Sequence, residues 1–486
     1  MKKRLLILAA LLLLSSCQGG EGTQTPVTDT ASGTVTAVDT AEKTPLEMLP
    51  DNLDFGGYEF HILYTDVLDL QYEYYISMEE ENGDLMNDAA YKRNRFVEER
   101  YNVELVFCPH PVSKTDTIVP TVSQSVMAGD DAYQYLQFSS SWDSMPALIS
   151  ENALLNLLDF KELNLDSEGF MKEANDSMII NDQLYFGFSH YNNAGNLPMY
   201  MVFNKDIMRN NGLDIPYDII FDGGWTMEVF QQYIRGINQD LDGDGKVKGK
   251  DQIGFASGDK ISNYMVFGYD ISLLKRDEDG IYCPDLQNEH FVNAVQKFLD
   301  FKKNNPDVYI PSAVDGSTGL THMFLYGNSM FAHTGAGIYG YSLRAIEDFD
   351  FGIAPFPKYD EAQNGYGSYW EMAQFGIPVT ITEREIVGAV AEGLAVASKE
   401  IMTPAFMDMY LESRMVRDEE SIRIFQMMRE DMVLDISRYY DFSDGEIWPV
   451  FLLSKIKDMT KVVSSLAEVG KQAEAQAEEF FDIFFD

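Results

Sequence analysis

The sequence predicts an α/β fold divided into two lobes. Short stretches that alternate like strands are interleaved with stretches of helical period, the pattern of mainly parallel sheets covered by helices. Once a polar leader is set aside, roughly 440 of the 486 residues remain, more than a single hydrophobic core organises.

The leader comes first. Lys2, Lys3 and Arg4 form a positive region ahead of the apolar run Leu5 to Leu14, which suits a signal peptide and is too short to span a bilayer. The run ends in Leu14-Ser15-Ser16-Cys17, which resembles the lipobox of bacterial lipoproteins and implies that the Cys17 thiol carries the lipid. An ordinary signal peptide with an incidental cysteine is the rival reading. Residues 1–17 are thus signal peptide and lipobox. Residues 18–45, rich in Gly, Thr, Ser, Ala and Asp, cannot bury enough surface to fold and read as a tether. Together these place the protein at a cell membrane, anchored by lipid on the extracytoplasmic face.

Composition limits the partners. With 78 acidic against 36 basic residues the formal charge is −42, which disfavours nucleic acid and anionic membrane surfaces. Of three cysteines, Cys17 is assigned to lipid. Cys108 and Cys283 are left either to pair or to stay as thiols, a choice the sequence leaves open.

Along the folded part, Tyr58 to Leu63 alternates as a strand, and a charged helix from Asp88 to Tyr101 leads into a second strand at Val103 to Phe107. A third, Ala132 to Phe138, follows the turn at Gly129. Ligands of such folds lie beyond the carboxyl ends of the strands. Those ends carry Tyr64 and Asp66 after the first strand, and Ser141 and Trp142 after the third.

Several segments, taken in order, resemble bacterial extracellular solute-binding proteins of family 1. They are Asn87 to Tyr91 with Arg93-Asn94-Arg95, Glu98 to Val103, Val126 to Tyr133, Val202 to Asp206, Gly224-Trp225-Thr226, Asp350 to Asp360 and Arg417 to Ser421. The resemblance covers most of the mature chain. It implies the type II periplasmic-binding-protein-like fold, with two discontinuous lobes joined by hinge crossings. It also implies a monomer that closes on a carbohydrate and hands it to an ABC permease. On that template the crossings fall near Tyr191 to Pro198, Pro311 to Gly319 and Trp370 to Gly376. The N-terminal lobe then takes residues 46–195 and 316–370, and the C-terminal lobe takes 196–315 and 371–486.

One motif carries metal chemistry. Asp240, Asp242 and Asp244 with Gly245, then Lys246 and a carboxylate at Asp251, follow the EF-hand loop, in which oxygens at fixed spacing surround Ca²⁺ and Lys246 offers its backbone carbonyl. Asp251 stands where Glu is usual and Lys248 where a water-bridging ligand sits. A strand rather than a second helix follows, so the expectation is a structural calcium site. An acidic turn is the alternative.

A different class is raised by Gly335-Ala336-Gly337-Ile338-Tyr339-Gly340, a G-x-G-x-x-G after a strand-like Ser329 to His333. The next strand ends in Pro355-Phe356-Pro357-Lys358, with no acidic residue for a ribose, so the better use of this turn is a helix start at the cleft with His333 and Tyr339 beside it. For enzymes there is no H-E-x-x-H, G-x-S-x-G or P-loop, and six scattered histidines make no metal spacing. Two facing carboxylates would suffice for a glycosidase, and Asp66, Asp143 and Glu371 keep that rival open, as does a surface glycan-binding lipoprotein with no transport role.

Pyranoses present apolar faces and hydroxyl rims, so aromatic rings beside short polar groups are the expected contacts. By position these are Tyr64, Trp142, Tyr191, Tyr369, Trp370 and Trp448, with Asp66, Ser141, Asn192, Asn193, His333, Tyr339 and Glu371. Trp225, followed by Thr226 as a helix cap and by Phe230 a turn later, reads as packing.

Overall fold

The computed structural model describes residues 43–485 except 67–75, 112–116, 139–144, 194–197, 249, 259–260, 279–280, 311–322, 335–342, 344–345, 371, 413–416, 435 and 444–446. Residues 43–486 form one compact unit built on two principal sheets. Cys17 and the tether up to residue 42 lie outside the described residues.

Strand β1 (Tyr58–Asp66) is followed by helix α1 (Leu85–Tyr101). Asp84 starts that helix by accepting from the N–H groups of Met86 and Asn87, and Asn102 ends it in the left-handed region, where Asn is tolerated. The chain returns as β2 (Val103–Pro111) and later as β3 (Tyr135–Phe138), both parallel to β1. The second sheet collects β4 (Tyr200–Asn204), β5 (Ile253–Ala256), β8 (Val308–Tyr309), β9 (Ser329–Thr334) and β10 (Phe351–Ala354), in the order β10-β4-β9-β5-β8. Strands β6 (Leu274–Arg276) and β7 (Tyr282–Pro284) form a separate hairpin.

Late in the chain, β11 (Ser368–Tyr369) pairs with β13 (Met432–Val433), and β12 (Gln374–Gly376) joins the first sheet antiparallel to β3. Each sheet is therefore mixed. The first contains one antiparallel pair, and in the second β4 runs against both its neighbours.

Two passages link the sheets. The chain passes from the first sheet to the second between Ser189 and Tyr200, and back between Tyr369 and Gln374. The two passages lie side by side. Gly187 and Phe375 exchange both backbone hydrogen bonds, and the Met199 N–H donates to the Tyr369 carbonyl. The segment near Pro311 to Gly319 lies outside the described residues, but the strands flanking it, β8 and β9, both belong to the second sheet.

The lobe boundaries differ accordingly. Strands β9 and β10, within 316–370, pair with β4 and β5 rather than entering the first sheet. After β12, helix α2 (Arg384–Ala397) continues through a π turn (Ser398–Met402) into α3 (Thr403–Glu412), and this long element packs on α1 in the first lobe. Helix α4 (Glu419–Glu430) packs instead on β10, in the second sheet. Strand pairing over such sequence distances leaves no local pattern to read.

One continuous buried cluster runs through both sheets and the crossings. Trp225 is fully buried within it: its indole N–H donates to the Pro355 carbonyl, its ring meets Phe230 edge-on at 5.7 Å, and Thr226 accepts from the Val229 N–H as a helix cap. Cys108 and Cys283 are free thiols, each pushed up in pKa by burial. Among the described residues no helix is long and apolar enough to cross a membrane.

Candidate functional site

The second sheet ends in a cluster of rings. His333 lies near the carboxyl end of β9, and its imidazole stacks with Phe356, 5.1 Å away at 17°, and with Tyr264, 6.1 Å away at 24°. Tyr264 comes from a 3₁₀ segment, Ile261–Tyr269, and also meets Tyr369 at 5.2 Å and the edge of Trp448 at 5.6 Å. Tyr369 stacks on Phe267 at 4.3 Å. Trp448 caps the helix Pro449–Lys455, which packs on the 3₁₀ segment, and the Arg438 guanidinium lies 4.8 Å above its ring. The cluster thus forms where the second lobe meets the crossing strands, at the carboxyl ends of parallel β5 and β9. Open α/β sheets bind ligands at this edge.

Three expected residues, His333, Tyr369 and Trp448, are brought together here. Trp370 is not with them. Successive residues of an extended strand point to opposite sides, and while Tyr369 enters the ring cluster Trp370 turns toward Arg429, its indole N–H donating to the Ser368 hydroxyl at 3.1 Å. Tyr264 escaped the sequence reading because it sits in an apolar run without strand alternation, with nothing local to mark it.

In the first lobe, Tyr64 and Asp66 end β1 as expected. The Tyr64 hydroxyl bonds that of Ser77 at 3.0 Å, and its ring lines a cavity of about 590 Å³ beside Met78, Tyr91, Asn94 and Phe107. Tyr191, Asn192 and Asn193 are all buried. Tyr191 packs edge-on against Tyr135 at 5.6 Å with the Arg93 guanidinium 4.6 Å over its ring, and burial pushes its phenol far above the usual range. Asn192 accepts from the Tyr135 and Ser189 hydroxyls at 2.8 and 3.0 Å. Asn193 donates to the carbonyls of Ser189 and Ala373 and accepts from the Ala373 N–H at 2.9 Å, tying one crossing to the other. Ser141, Trp142, Tyr339 and Glu371 lie outside the described residues.

The acidic loop gathers Asp240, Asp242 and Asp244, all exposed, with carboxylate oxygens within 4.8 Å of one another. Gly243 and Gly245 adopt φ of 74° and 80°, which glycine alone accepts at little cost. Asp251 is fully buried and accepts from the N–H groups of Leu241 and Lys248 at 2.9 and 2.8 Å, which hold its carboxyl below the usual range. The Lys246 N–H donates to Asp244, and the Lys248 ammonium pairs with the same carboxylate. Three carboxylates converge, a donor set that suits a hard, oxygen-seeking cation; Asp251 closes the loop from behind, and the Lys248 ammonium pairs with Asp244.

No protein-family model and no curated protein matches the chain at the level of sequence. Solved structures do. An ABC substrate-binding protein from Listeria monocytogenes in complex with cycloalternan aligns with TM-score 0.53 and 14% identity, over 86% of this chain and 98% of that one. A cyclo/maltodextrin-binding protein complexed with maltotetraose gives 0.57 and 12%, over 86% and 97%. The GacH receptor of Streptomyces glaucescens, solved unliganded and with acarbose, gives 0.51 and 13%, over 88% and 99%. The chain therefore has the two-lobed, periplasmic-binding-protein-like α/β fold that these solute-binding proteins share.

Proposed function

We propose that this protein is a carbohydrate-binding protein, not an enzyme, held by lipid on Cys17 at the extracytoplasmic face of the membrane, and that it passes an oligosaccharide to an ABC permease. The observation that carries the reading is the ring cluster of Tyr264, His333, Tyr369 and Trp448 at the carboxyl edge of the second sheet, beside the crossings of a fold that sugar-binding proteins share. Aromatic rings at this edge suit the apolar faces of pyranoses, and a well-stacked ring contributes about 0.5–1.5 kcal/mol beyond area burial. A calorimetric screen of residues 46–486 against oligosaccharides and peptides tests it. Binding of a sugar that weakens at least tenfold in Tyr264→Ala is expected. Silence across sugars with a response to peptides overturns it.

Anchoring rests on the lipobox-like Leu14 to Cys17, and delivery to a permease on the combination of tether and closing fold. Cys17→Ser expressed in a bacterial host should move from the membrane fraction to the soluble fraction; retention at the membrane refutes the anchor. For calcium, Asp240, Asp242, Asp244 and the Lys246 carbonyl would hold the ion, with Asp251 completing the loop, and its role would be structural.

A further inference from the structure

The cavity beside Tyr64 is used neither by the ring cluster nor by the crossings. Its volume of about 590 Å³, bounded by α1 and β2, falls within the range of small-molecule sites. Every described residue that lines it falls between Tyr64 and Pro109, so it belongs to the first lobe alone. Strand β2 ends its sheet, with no strand on its far side. That edge is poorly suited to an added strand: the Leu105 N–H already donates to the Glu98 carboxylate at 3.1 Å, and Pro109 and Pro111 have no N–H to give. A small molecule therefore fits the cavity better than an extended peptide.

The lining selects the chemistry. Tyr64, Tyr91 and Phe107 supply aromatic surface, and among the described residues none of these rings stacks on another or lies under a cation. The faces of such rings are electron-rich and attract positive charge. The Arg95 guanidinium is taken by Glu98 at 2.8 Å and Glu99 at 3.4 Å. Glu98 in turn uses one oxygen on Arg95 and the other on Leu105. Glu79 and Glu104 remain, both exposed and, among the described residues, in no ion pair. An anion here would meet two unpaired carboxylates on a chain of net charge −42. A cation would meet those carboxylates together with unstacked rings, the combination that holds alkylammonium groups.

We propose that this cavity binds an organic ammonium compound, its charge held by Tyr91, Glu79 and Glu104 and its alkyl part lying against Met78 and Phe107. The site is separate from the sugar cleft and does not depend on the carbohydrate reading.

The test is calorimetry on the full mature chain with choline and spermidine, each against an uncharged match of similar length, 3,3-dimethylbutan-1-ol and octane-1,8-diol. At least one ammonium probe should bind, about tenfold or more tightly than its match, and raising the salt from about 50 mM to about 500 mM should weaken it severalfold. Tyr91→Leu keeps an apolar side chain and removes the ring; Glu104→Gln keeps the shape and removes the charge. Each should weaken the bound probe by about 3- to 10-fold. Because Glu104 is exposed and unpaired, its substitution should leave the ligand-free melting temperature unchanged or higher, which separates a lost contact from a damaged fold. General attraction of a −42 chain for cations would survive both substitutions. No binding by either ammonium probe, equal binding by the uncharged matches, or unchanged affinity in either variant overturns the inference and leaves the carbohydrate reading standing.

Discussion

Acidification should destabilise the ligand-free protein well above the range where its carboxylates titrate. Two histidines are held neutral in the fold. His190, at the start of the first crossing, is pushed down to about 4 by burial, then by the positive charges of Lys399 and Arg429; burial alone takes His333 to about 3. In the unfolded chain both return to about 6.5. Below that value the unfolded state binds protons that the folded state refuses, so stability is complete above about pH 6.5 and falls as pH drops toward the folded values. The slope approaches 1.4 kcal/mol per pH unit for each group. At pH 5 each histidine then removes up to about 2 kcal/mol, about 4 together, a large share of a stability that is commonly 5–15 kcal/mol. Asp251 and Asp418, whose carboxyls are lowered, act in the same direction but only below the usual carboxylate range, whereas Glu392, raised by burial, partly opposes the trend. Urea unfolding at pH 7, 6 and 5 measures the effect. The double variant His190→Gln, His333→Phe should be much flatter with pH. A flat profile for the natural chain, or the same slope in the double variant, refutes the reasoning.

Other outcomes follow from single contacts. Lys205, buried at the start of a helix, pairs with Asp418, which also accepts from the Tyr217 hydroxyl at 2.7 Å; Asp418→Asn leaves the ammonium only Asp350, 3.4 Å away, and should cost about 1–3 kcal/mol in urea unfolding, and no measurable loss would contradict it. Asn193→Ala strands the Ala373 N–H and two carbonyls between the crossings and should cost about 2–4 kcal/mol, with ligand affinity changed as well, both read from unfolding and calorimetry. Calcium at roughly 100 times its dissociation constant should stabilise the protein by about 2.7 kcal/mol. That gain should vanish in the double variant Asp242→Asn, Asp244→Asn, and a melting temperature indifferent to calcium removes the metal from the account.

Much of the first lobe was legible because its signals are local. The alternation from Tyr58, the charged helix before Val103 and the turn at Gly129 each mark their own element. Trp225 was readable as packing because Thr226 and Phe230 stand beside it. Less visible was whatever depends on distant partners. The segment Gln183 to Phe188 pairs only through isolated bridges, Gly187 to Phe375 among them, and that partner arrives nearly two hundred residues later. For the same reason β9 and β10 were assigned to the N-terminal lobe, whereas they pair with β4 and β5. In the candidate site, His333, Tyr369 and Trp448 could be picked out because strand ends and rare aromatics can be located in a sequence, and the structure brings their rings into one cluster. Tyr264 has no such marker. Tyr191, Asn192 and Asn193, expected as ligand contacts, are buried in the structure and hold the interior of the passage between the sheets.

The two crossings bonded edge to edge have a mechanical consequence. A double-stranded strap resists sliding, because sliding breaks every rung at once, but it twists with little effort. Relative travel of the lobes is then an arc about the strap, and points move in proportion to their distance from it. Tyr369, set in the strap itself, sits near the axis and travels least, so its ring keeps its bearing on Tyr264 and Phe267 while the far rims swing. A fluorophore placed on the strap would hardly respond to ligand, whereas one at the tip of α1 would register the whole stroke.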